Sequence, residues 1–488
     1  MAAGALLVLC ATVTDARAAA TCDALAAVKL SGTTITLAET VAAGAFKPPS
    51  GGGRFDTLPA FCRVAATLRP SADSDIKIEV WLPTAGWNGK FQAVGNGGWA
   101  GSISYAAMGR ALARGYATSS TDTGHTGASG LFALGHIEKL IDFAYRAPHE
   151  MTMTAKSLIA AFYGSAPARS YWNGCSTGGR QALQAAHRYP DDFDGIIAGA
   201  PANPKTHLDA WRIWMTQAMY RDAASTIPPA KFQAIHEAVV KACDLIDGVK
   251  DGLIEDPRRC SFDPEVLTCR SGDGPSCLTV PQVETARVLM SPVKDRRTGK
   301  EIFPTYAPGS ELGWGRLLAG PDPYPNALEG YRYAIFGDPK WDWRTFDLER
   351  DLAKANEVSA GKLGPIGTDL SAFARRGAKL LMYHGWSDPS IPPGASISYY
   401  EAARKATSGS DWARLFMAPG MGHCSGGEGP DTFDMVTALE AWIEAGRPPS
   451  QVTASKVVGG KVMRTRPLCA YPQTARYTGR GSIDDASN

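Results

Sequence analysis

The sequence lacks three features that would each assign a protein class. It has no Cys-x-x-Cys pair, so neither a zinc ribbon nor an iron–sulfur cluster is indicated. It has no excess of one charge: 50 basic and 48 acidic residues give a net charge of +2, unlike the basic surface of nucleic-acid-binding proteins. Beyond residue 20, no apolar run approaches the roughly 18 to 20 residues of a membrane span. These absences favour a small or neutral molecule as the partner.

Residues 1–20 have the composition of a secretory signal peptide. An apolar run at 5–13 is followed by two small-x-small cleavage sites at 16–18 and 18–20, although no Lys or Arg precedes the run. Removal of this leader leaves nine cysteines, which indicates an oxidised, exported protein with one thiol left over. We therefore expect a secreted or periplasmic protein.

Strand-like and helix-like segments alternate on both sides of an irregular middle region. Strands are predicted at 76–82, 91–94, 116–120, 170–173, 193–198, 379–383 and 414–418. Helices are predicted at 151–163, 179–189, 396–406 and 432–445. Such alternation predicts an α/β fold with a mostly parallel sheet that helices cover on both faces. Residues 21–200 and 366–488 would form this domain, and residues 201–365, rich in Pro, Gly, Trp and Tyr, would form an inserted lid.

The segment 173–180, Asn-Gly-Cys-Ser-Thr-Gly-Gly-Arg, holds the only Gly-x-Ser-x-Gly of the chain. Its serine, Ser176, lies between a predicted strand and a predicted helix, which is the context of a nucleophile elbow. The flanking glycines suit a tight turn that has no room for side chains. Because the chain has 52 glycines, an ordinary glycine-rich turn is the alternative, and the assignment needs further support.

A serine nucleophile needs a base and an acid that orients the base. Two of the eight histidines, His384 and His423, follow the middle region. In α/β-hydrolases the acid and the base follow the last strands, in the order serine, acid, histidine. Asp388 and His423 each follow one of the last two predicted strands, so Ser176, Asp388 and His423 are the predicted triad.

Each of the two outer triad candidates has a cysteine beside it. Cys175 precedes Ser176, and Cys424 follows His423. If the serine and the imidazole are within hydrogen-bond reach, the neighbouring Cα atoms can fall in the roughly 4.4 to 6.8 Å range of a disulfide. We predict a Cys175–Cys424 bridge that joins the two loops; two unrelated buried thiols are the alternative.

Backbone N–H groups must stabilise the oxyanion of an acyl-transfer intermediate. Thr177, which follows the nucleophile, is one candidate donor. The glycine-rich segment 95–101 follows an earlier strand and offers Gly98 as the second donor, with Gly97 and Trp99 as near alternatives. A flexible loop without this role is the other interpretation.

The segment 120–127, Ser-Thr-Asp-Thr-Gly-His-Thr-Gly, contains a competing acid and base, Asp122 and His125. Both precede Ser176, against the expected order. A hydrogen-bonded structural turn is therefore the favoured interpretation.

The Cys-Ser of "GCSTGG", the Asp of "HGWSDPSIPP" and the His-Cys of "GMGHCSGG" resemble the signature of the tannase and feruloyl esterase family, which includes monohydroxyethyl-terephthalate hydrolase. The resemblance covers nearly the whole mature chain. It implies an α/β-hydrolase with a large lid, the triad and the bridge named above. It also implies a small aromatic ester as substrate, either free or linked to plant cell walls, with feruloyl esters first and galloyl esters or terephthalate monoesters as alternatives. A noncatalytic binding protein on the same scaffold is the remote alternative.

An acidic loop lies in the predicted lid, between Cys243 and Cys260. Its carboxylates and two glycines suit a hard cation such as Ca²⁺, although a solvated acidic turn would give the same pattern. In the family a structural lid calcium is held by this kind of loop. Carried over residue by residue, the resemblance implies as ligands the carboxylates of Asp244, Asp247 and Asp251 and the carbonyls of Val249 and Leu253.

The resemblance implies further pairs and contacts. The implied disulfides are Cys243–Cys260, Cys269–Cys277 and Cys22–Cys62. His384 and Ile391 would line the substrate pocket. Cys469 departs from the family pattern because no cysteine follows it, so it is either a buried free thiol or the remnant of a lost bridge. The lid aromatics Trp314, Tyr324, Tyr331, Tyr333, Phe336, Trp341 and Trp343 would either stack on an aromatic acyl group or form the core of the lid.

Overall fold

A computed structural model describes residues 20–49, 51, 53–409 and 411–488. The predicted leader lies outside these residues except for Ala20. In chain order the strands are β1 (Thr33–Val41), β2 (Phe61–Leu68), β3 (Ile76–Pro83), β4 (Lys90–Val94), β5 (Ala117–Thr121), β6 (Arg169–Cys175), β7 (Gly195–Gly199), β8 (Val293–Lys294), β9 (Glu301–Phe303), β10 (Lys379–Gly385), β11 (Ala413–Ala418), β12 (Gln451–Val458) and β13 (Lys461–Cys469).

Nine of these strands form one sheet in the order β1-β2-β3-β5-β4-β6-β7-β10-β11. The strands from β1 to β5 in this order pair antiparallel, and those from β5 to β11 pair parallel. The side chains of β5 and β7 are buried throughout, as expected for strands that are covered on both faces. Because parallel strands end at the same edge, the loops after β4, β6, β10 and β11 can meet there.

Helices cover both faces of the sheet. In chain order they are α1 (Tyr105–Ala113), α2 (Ile137–Ile141), α3 (Ala147–Tyr163), α4 (Thr177–Arg188), α5 (Lys205–Met219), α6 (Phe232–Cys243), α7 (Val280–Leu289), α8 (Gly315–Leu318), α9 (Pro325–Glu329), α10 (Leu348–Val358), α11 (Ser371–Arg375), α12 (Pro393–Ala406) and α13 (Met435–Ala445). Residues of α3, α4 and α12 share one apolar cluster with the sheet, and residues of α1 and α13 share another. The α/β fold class is confirmed. Within the described residues, no helix is long and apolar enough to cross a membrane.

The lid has an apolar core of its own, which runs from Ala202 to Ala355. Trp314, Tyr331 and Trp343 belong to this core and are at most 4% exposed, so they cannot stack on a substrate in this conformation. Tyr324, Phe336 and Trp341 are partly buried against the same cluster. Two residues of the α/β domain, Ile391 and Ala395, also pack into it. The lid and the α/β domain therefore share a packed interface.

All four predicted disulfides are formed, with Cα–Cα distances of 5.0 to 6.1 Å. They are Cys22–Cys62, Cys175–Cys424, Cys243–Cys260 and Cys269–Cys277. Cys469 is the free cysteine of the described region, and its side chain is half-buried. Burial, reinforced by the nearby Glu255 carboxylate, raises the pKa of its thiol.

Candidate active site

Ser176 lies in the sharp turn between β6 and α4. Its φ of 63° and ψ of −121° are an unusual conformation for a residue with a side chain. The glycines of the motif are required sterically: a Cβ on Gly174 would lie 2.6 Å from the Gly178 carbonyl oxygen, and one on Gly178 would lie 3.1 Å from the Asn96 carbonyl oxygen. The turn has the geometry of a nucleophile elbow, which holds the serine at the edge of the sheet.

Asp388 and His423 form a close acid–base pair. His423 Nδ1 lies 2.7 Å from Asp388 Oδ2. The other carboxylate oxygen accepts hydrogen bonds from the backbone N–H groups of Ser390, at 2.7 Å, and Ile391, at 3.0 Å. Burial disfavours the charge of Asp388, but the attraction of His423 and hydrogen bonds from His384 and His423 outweigh burial and hold its pKa well below the usual range. Asp388 is thus an ionised group that can orient the imidazole.

His384 and Ile391, the residues expected to line the substrate pocket, are both buried in this structure. His384 is 0% exposed and Ile391 is 1% exposed, so their contact with a substrate stays a prediction. His384 Nε2 lies 3.0 Å from both Asp388 Oδ2 and the Ile391 carbonyl oxygen, and Nδ1 lies 2.7 Å from Ser396 Oγ. Because two acceptors face Nε2, that nitrogen carries the proton. His384 therefore donates a hydrogen bond that holds the Asp388 carboxylate in place from within the protein core.

The Cys175–Cys424 disulfide joins two segments of the site, with the two Cα atoms 6.1 Å apart. One is the serine turn, between β6 and α4, and the other is the histidine loop, which follows β11 and carries His423. Cys424 also adopts a left-handed φ of 63°. His423 is partly exposed, with 15% of its side-chain surface accessible. Ser176 and His423 are not hydrogen-bonded to each other in the described structure, so the serine–histidine contact of the triad stays a prediction.

The loop after β4 packs against the start of α4. Thr177 Oγ1 donates to the Gly98 carbonyl at 2.8 Å, and the Gly178 N–H donates to the Asn96 carbonyl at 2.8 Å. Asn96 and Gln181 exchange two further hydrogen bonds, of 3.1 and 3.0 Å. Sequence reasoning missed the Asn96–Gln181 pair, because no local spacing links two residues that are 85 positions apart.

Backbone donors are free at this junction. Among the described residues, the N–H groups of Thr177 and Gly98 have no acceptor, so both can bind an oxyanion. The same is true of Gly97 and Trp99, so the choice among these three residues stays a prediction. Gly98 has a φ of 56°, which favours glycine.

Asp122 and His125 do not form an acid–base pair. Asp122 Oδ1 accepts hydrogen bonds from the N–H groups of Lys77, at 2.9 Å, and Gly124, at 2.8 Å. His125 Nε2 lies 2.7 Å from the Trp99 carbonyl oxygen and donates to it. Burial raises the pKa of Asp122 to about 7 and lowers that of His125. The segment is the structural turn that was expected. The hydrogen bond from His125 to the Trp99 carbonyl attaches it to the loop that contains Gly98.

A groove of about 320 Å³ separates the lid from the histidine loop. Leu312 and Arg316 line it on the lid side, and Pro389, His423 and Glu428 line it on the side of the α/β domain. A groove that includes the partly exposed His423 gives a small molecule access to the base.

The acidic loop of the lid has oxygen atoms to offer a cation. Asp244 Oδ1 accepts from two backbone N–H groups at 3.1 Å, and Asp247 Oδ1 accepts from Val249 N at 2.9 Å, which leaves both Oδ2 atoms without a partner in the described region. Burial and then the carboxylates of Asp251 and Asp244 raise the pKa of Asp247, as expected where negative charge accumulates. This donor set fits a hard cation.

Asp251 is more heavily engaged than the other two carboxylates. It pairs with Arg466 and lies 3.4 Å from Arg464, and its Oδ1 accepts from Leu253 N at 3.0 Å. Across the described residues, the one group of three side chains with ligand atoms all within 4.8 Å of one another is Cys269, Asp273 and Cys277. The disulfide between these cysteines removes them as ligands.

Comparison with known proteins identifies the family. A family model described as "Tannase and feruloyl esterase" matches residues 62–488. The chain belongs to this family. An uncharacterized esterase of Xanthomonas campestris is 38% identical to this tannase-family chain over an alignment of 531 residues, which covers 98% of the chain and 92% of that protein. A probable feruloyl esterase B-1 of Aspergillus oryzae is 35% identical over 449 residues, 87% of the chain and 83% of that protein.

Solved structures agree with this assignment. The crystal structure of feruloyl esterase B from Aspergillus oryzae superposes with a TM-score of 0.91 at 32% identity, and the match covers 96% of this chain and 98% of that one. As a member of the tannase and feruloyl esterase family, the chain is a carboxylic ester hydrolase.

Proposed function

We propose that this tannase-family protein hydrolyses feruloyl and related hydroxycinnamoyl esters through an acyl-enzyme on Ser176. The observation that carries the proposal is the Asp388–His423 contact of 2.7 Å, on a loop that a disulfide attaches to the serine turn. The relatives named as feruloyl esterases support the choice of acyl group.

In the proposed reaction, His423 Nε2 removes the proton of Ser176 as the serine oxygen attacks the ester carbonyl. The imidazolium that forms is stabilised by the ionised Asp388, whose charge is in turn held by His384 and two backbone N–H groups. His423 then protonates the departing alcohol. Water, activated by the same imidazole, releases the aromatic acid and restores Ser176.

The oxyanion of each tetrahedral intermediate would bind the N–H groups of Thr177 and Gly98. Preorganised donors of this kind lower the barrier because they need not reorient when charge develops. The Thr177 hydroxyl and the Asn96–Gln181 pair fix the two segments against each other before substrate arrives.

The test is a comparison of three esters with wild type and Ser176→Ala. We expect turnover of methyl ferulate to exceed that of methyl gallate and of a terephthalate monoester, and Ser176→Ala to abolish all three. Preferential turnover of the gallate or of the terephthalate ester would show that a different acyl group is preferred, and the proposed triad would stand. No ester turnover by folded wild-type protein would contradict the proposal.

We also propose that the protein is exported and binds one structural Ca²⁺ in its lid. Export is supported by the four disulfides and by the leader-like residues 1–20. Asp244, Asp247 and Asp251, with the carbonyls of Val249 and Leu253, would hold the ion, and its charge would draw the loop oxygens together. Between Cys243 and Cys260 the acidic loop contains no serine, cysteine or histidine, which supports a structural role.

A further inference from the structure

A buried histidine links the lid to the loop that carries the catalytic base. His236, in α6 of the lid, is 5% exposed. Its Nδ1 lies 3.0 Å from Glu311 Oε2, within the lid, and its Nε2 lies 3.0 Å from Glu428 Oε2, five residues after His423. Ionised carboxylates only accept hydrogen bonds, so both ring nitrogens carry protons and His236 is a cation.

The loop that carries His423 is built from glycine turns and its own backbone hydrogen bonds. The Gly429 N–H donates to the Gly420 carbonyl at 3.0 Å, which closes the loop at its base beside Glu428. Positive φ angles at Gly420, Gly426 and Gly427 show that glycine conformations shape it. The Gly422 N–H also donates to the Gly426 carbonyl at 2.9 Å, and Met421 and Gly427 form a bridge, so the loop is an ordered unit whose position relative to the lid depends on its attachments.

Those attachments lie on two sides. On the side of the sheet, the disulfide of Cys424 and the hydrogen bond from His423 to Asp388 hold the loop. On the side of the lid, Glu428 is held by His236. Glu311, the other partner, is completely buried and also accepts hydrogen bonds from the Gly309 N–H at 2.9 and 3.1 Å, so the lid end is fixed.

We propose that His236 is a positioning residue for ester hydrolysis: as a cation shared by Glu311 and Glu428, it clamps the histidine loop to the lid and keeps His423 aligned with Ser176. Glu428 and His423 line the same groove, so release of the clamp would let the base move away from the serine. This inference rests on the proposed triad, but not on the feruloyl preference.

The clamp is expected to depend on pH. The charged groups that act on His236 are Glu311 and Glu428, and Lys456 of β12 acts on Glu428. Burial opposes the charge of His236, but the two carboxylates outweigh burial and raise its pKa to about 9. A raised histidine pKa means that the clamp is complete at neutral pH and is lost as pH rises through about 9.

The experiment measures kcat/KM for 4-nitrophenyl acetate from pH 6 to pH 10.5 with full-length protein, corrected by the Ser176→Ala rate. This activated ester reports the triad whichever natural acyl group is preferred. We expect wild-type activity to fall as pH passes about 9, and Glu428→Gln to move that fall to lower pH because one carboxylate is removed. His236→Gln should lower kcat at pH 7 by roughly 10- to 100-fold and abolish the transition near pH 9, since small misplacements of a catalytic group have effects of that size.

Two comparisons separate positioning from general destabilisation. Glu237→Gln, an exposed neighbour on the same helix, should keep the wild-type profile. Glu428→Asp keeps the negative charge. The pH at which its activity falls should therefore be closer to that of wild type than the corresponding pH of Glu428→Gln. Thermal unfolding would show whether both proteins are folded. If they are, identical alkaline transitions in wild type and Glu428→Gln would overturn the proposal.

Discussion

Cys175 and Cys424 are joined in a disulfide, and each is the immediate neighbour of a predicted triad residue. The bridge closes a loop with a sequence separation of 249 residues. Chain-entropy arguments give it a stabilisation of about 5 kcal/mol at most. Its larger consequence is geometric, since it limits how far the serine turn and the histidine loop can separate.

The first prediction concerns this bridge. Cys175→Ala should lower kcat more than it changes KM, because the serine and the base lose their tether while the substrate groove is retained. Cys424→Ala should have a similar effect, and the double variant should be no worse than either single one. The control is Cys269→Ala with Cys277→Ala, which removes a partly buried lid bridge. Wild-type kcat in folded Cys175→Ala would show that the bridge has no part in catalysis.

The second prediction concerns the acid. Asp388→Asn should lower kcat about 10³- to 10⁴-fold, because an amide presents the wrong hydrogen-bonding group to His423 Nδ1 and removes the charge that stabilises the imidazolium. Steady-state kinetics on methyl ferulate measures the effect. The matched control is Asp122→Asn, another buried carboxylate that accepts backbone N–H groups but contacts no base. Equal effects of the two substitutions on kcat would show that Asp388 is not the acid of the triad.

The third prediction concerns the proposed oxyanion loop. Alanine at Gly98 must adopt a φ of 56° and place its Cβ 3.0 Å from Asn326 Nδ2, whereas alanine at Gly97 meets nothing within 4 Å. The left-handed backbone alone costs about 1 to 2 kcal/mol. We expect Gly98→Ala to lower kcat about tenfold or more and Gly97→Ala to have little effect on it. The reverse order would assign the oxyanion donor to Gly97.

The fourth prediction concerns the lid loop. Added Ca²⁺ should raise the melting temperature of EDTA-treated wild type, because a ligand that binds only the folded state stabilises it. Asp247→Asn should abolish the increase, and Glu265→Gln, an exposed lid carboxylate, should leave it unchanged. Calorimetry with Ca²⁺ alone measures binding directly. No heat of binding and no change in melting temperature would exclude the site.

The central sheet could be predicted from sequence because its strands are short apolar runs between turn signals. Every strand from β3 to β7, together with β10 and β11, overlaps a predicted segment. The antiparallel pair β1 and β2 was missed. β1 contains no buried side chain and β2 contains no exposed one, so neither shows an alternation of buried and exposed side chains. The β12–β13 hairpin was also missed: its buried side chains are limited to Val452, Ala454 and Leu468, and its tip is exposed.

In the candidate site too, features beside a motif could be predicted from the sequence, whereas contacts between distant segments could not. Residues beside a motif, such as Cys175 and Cys424, could be paired by reasoning from their neighbours. The role of His384 could not, because its burial behind Asp388 depends on how the loop after β10 folds back. The clamp of His236 was also missed, since its partners lie in separate segments of the chain that only the folded lid brings together.

The most direct test of the account is to identify the residue that carries the acyl group. Wild type mixed with an excess of 4-nitrophenyl ferulate and acid-quenched within the first turnover should gain the mass of one feruloyl group, and peptide mapping should place it on Ser176. Asp388→Asn should form the same adduct more slowly, and Ser176→Ala should form none. Turnover of the ester with an adduct on another residue, or undiminished turnover by Ser176→Ala, would contradict the account.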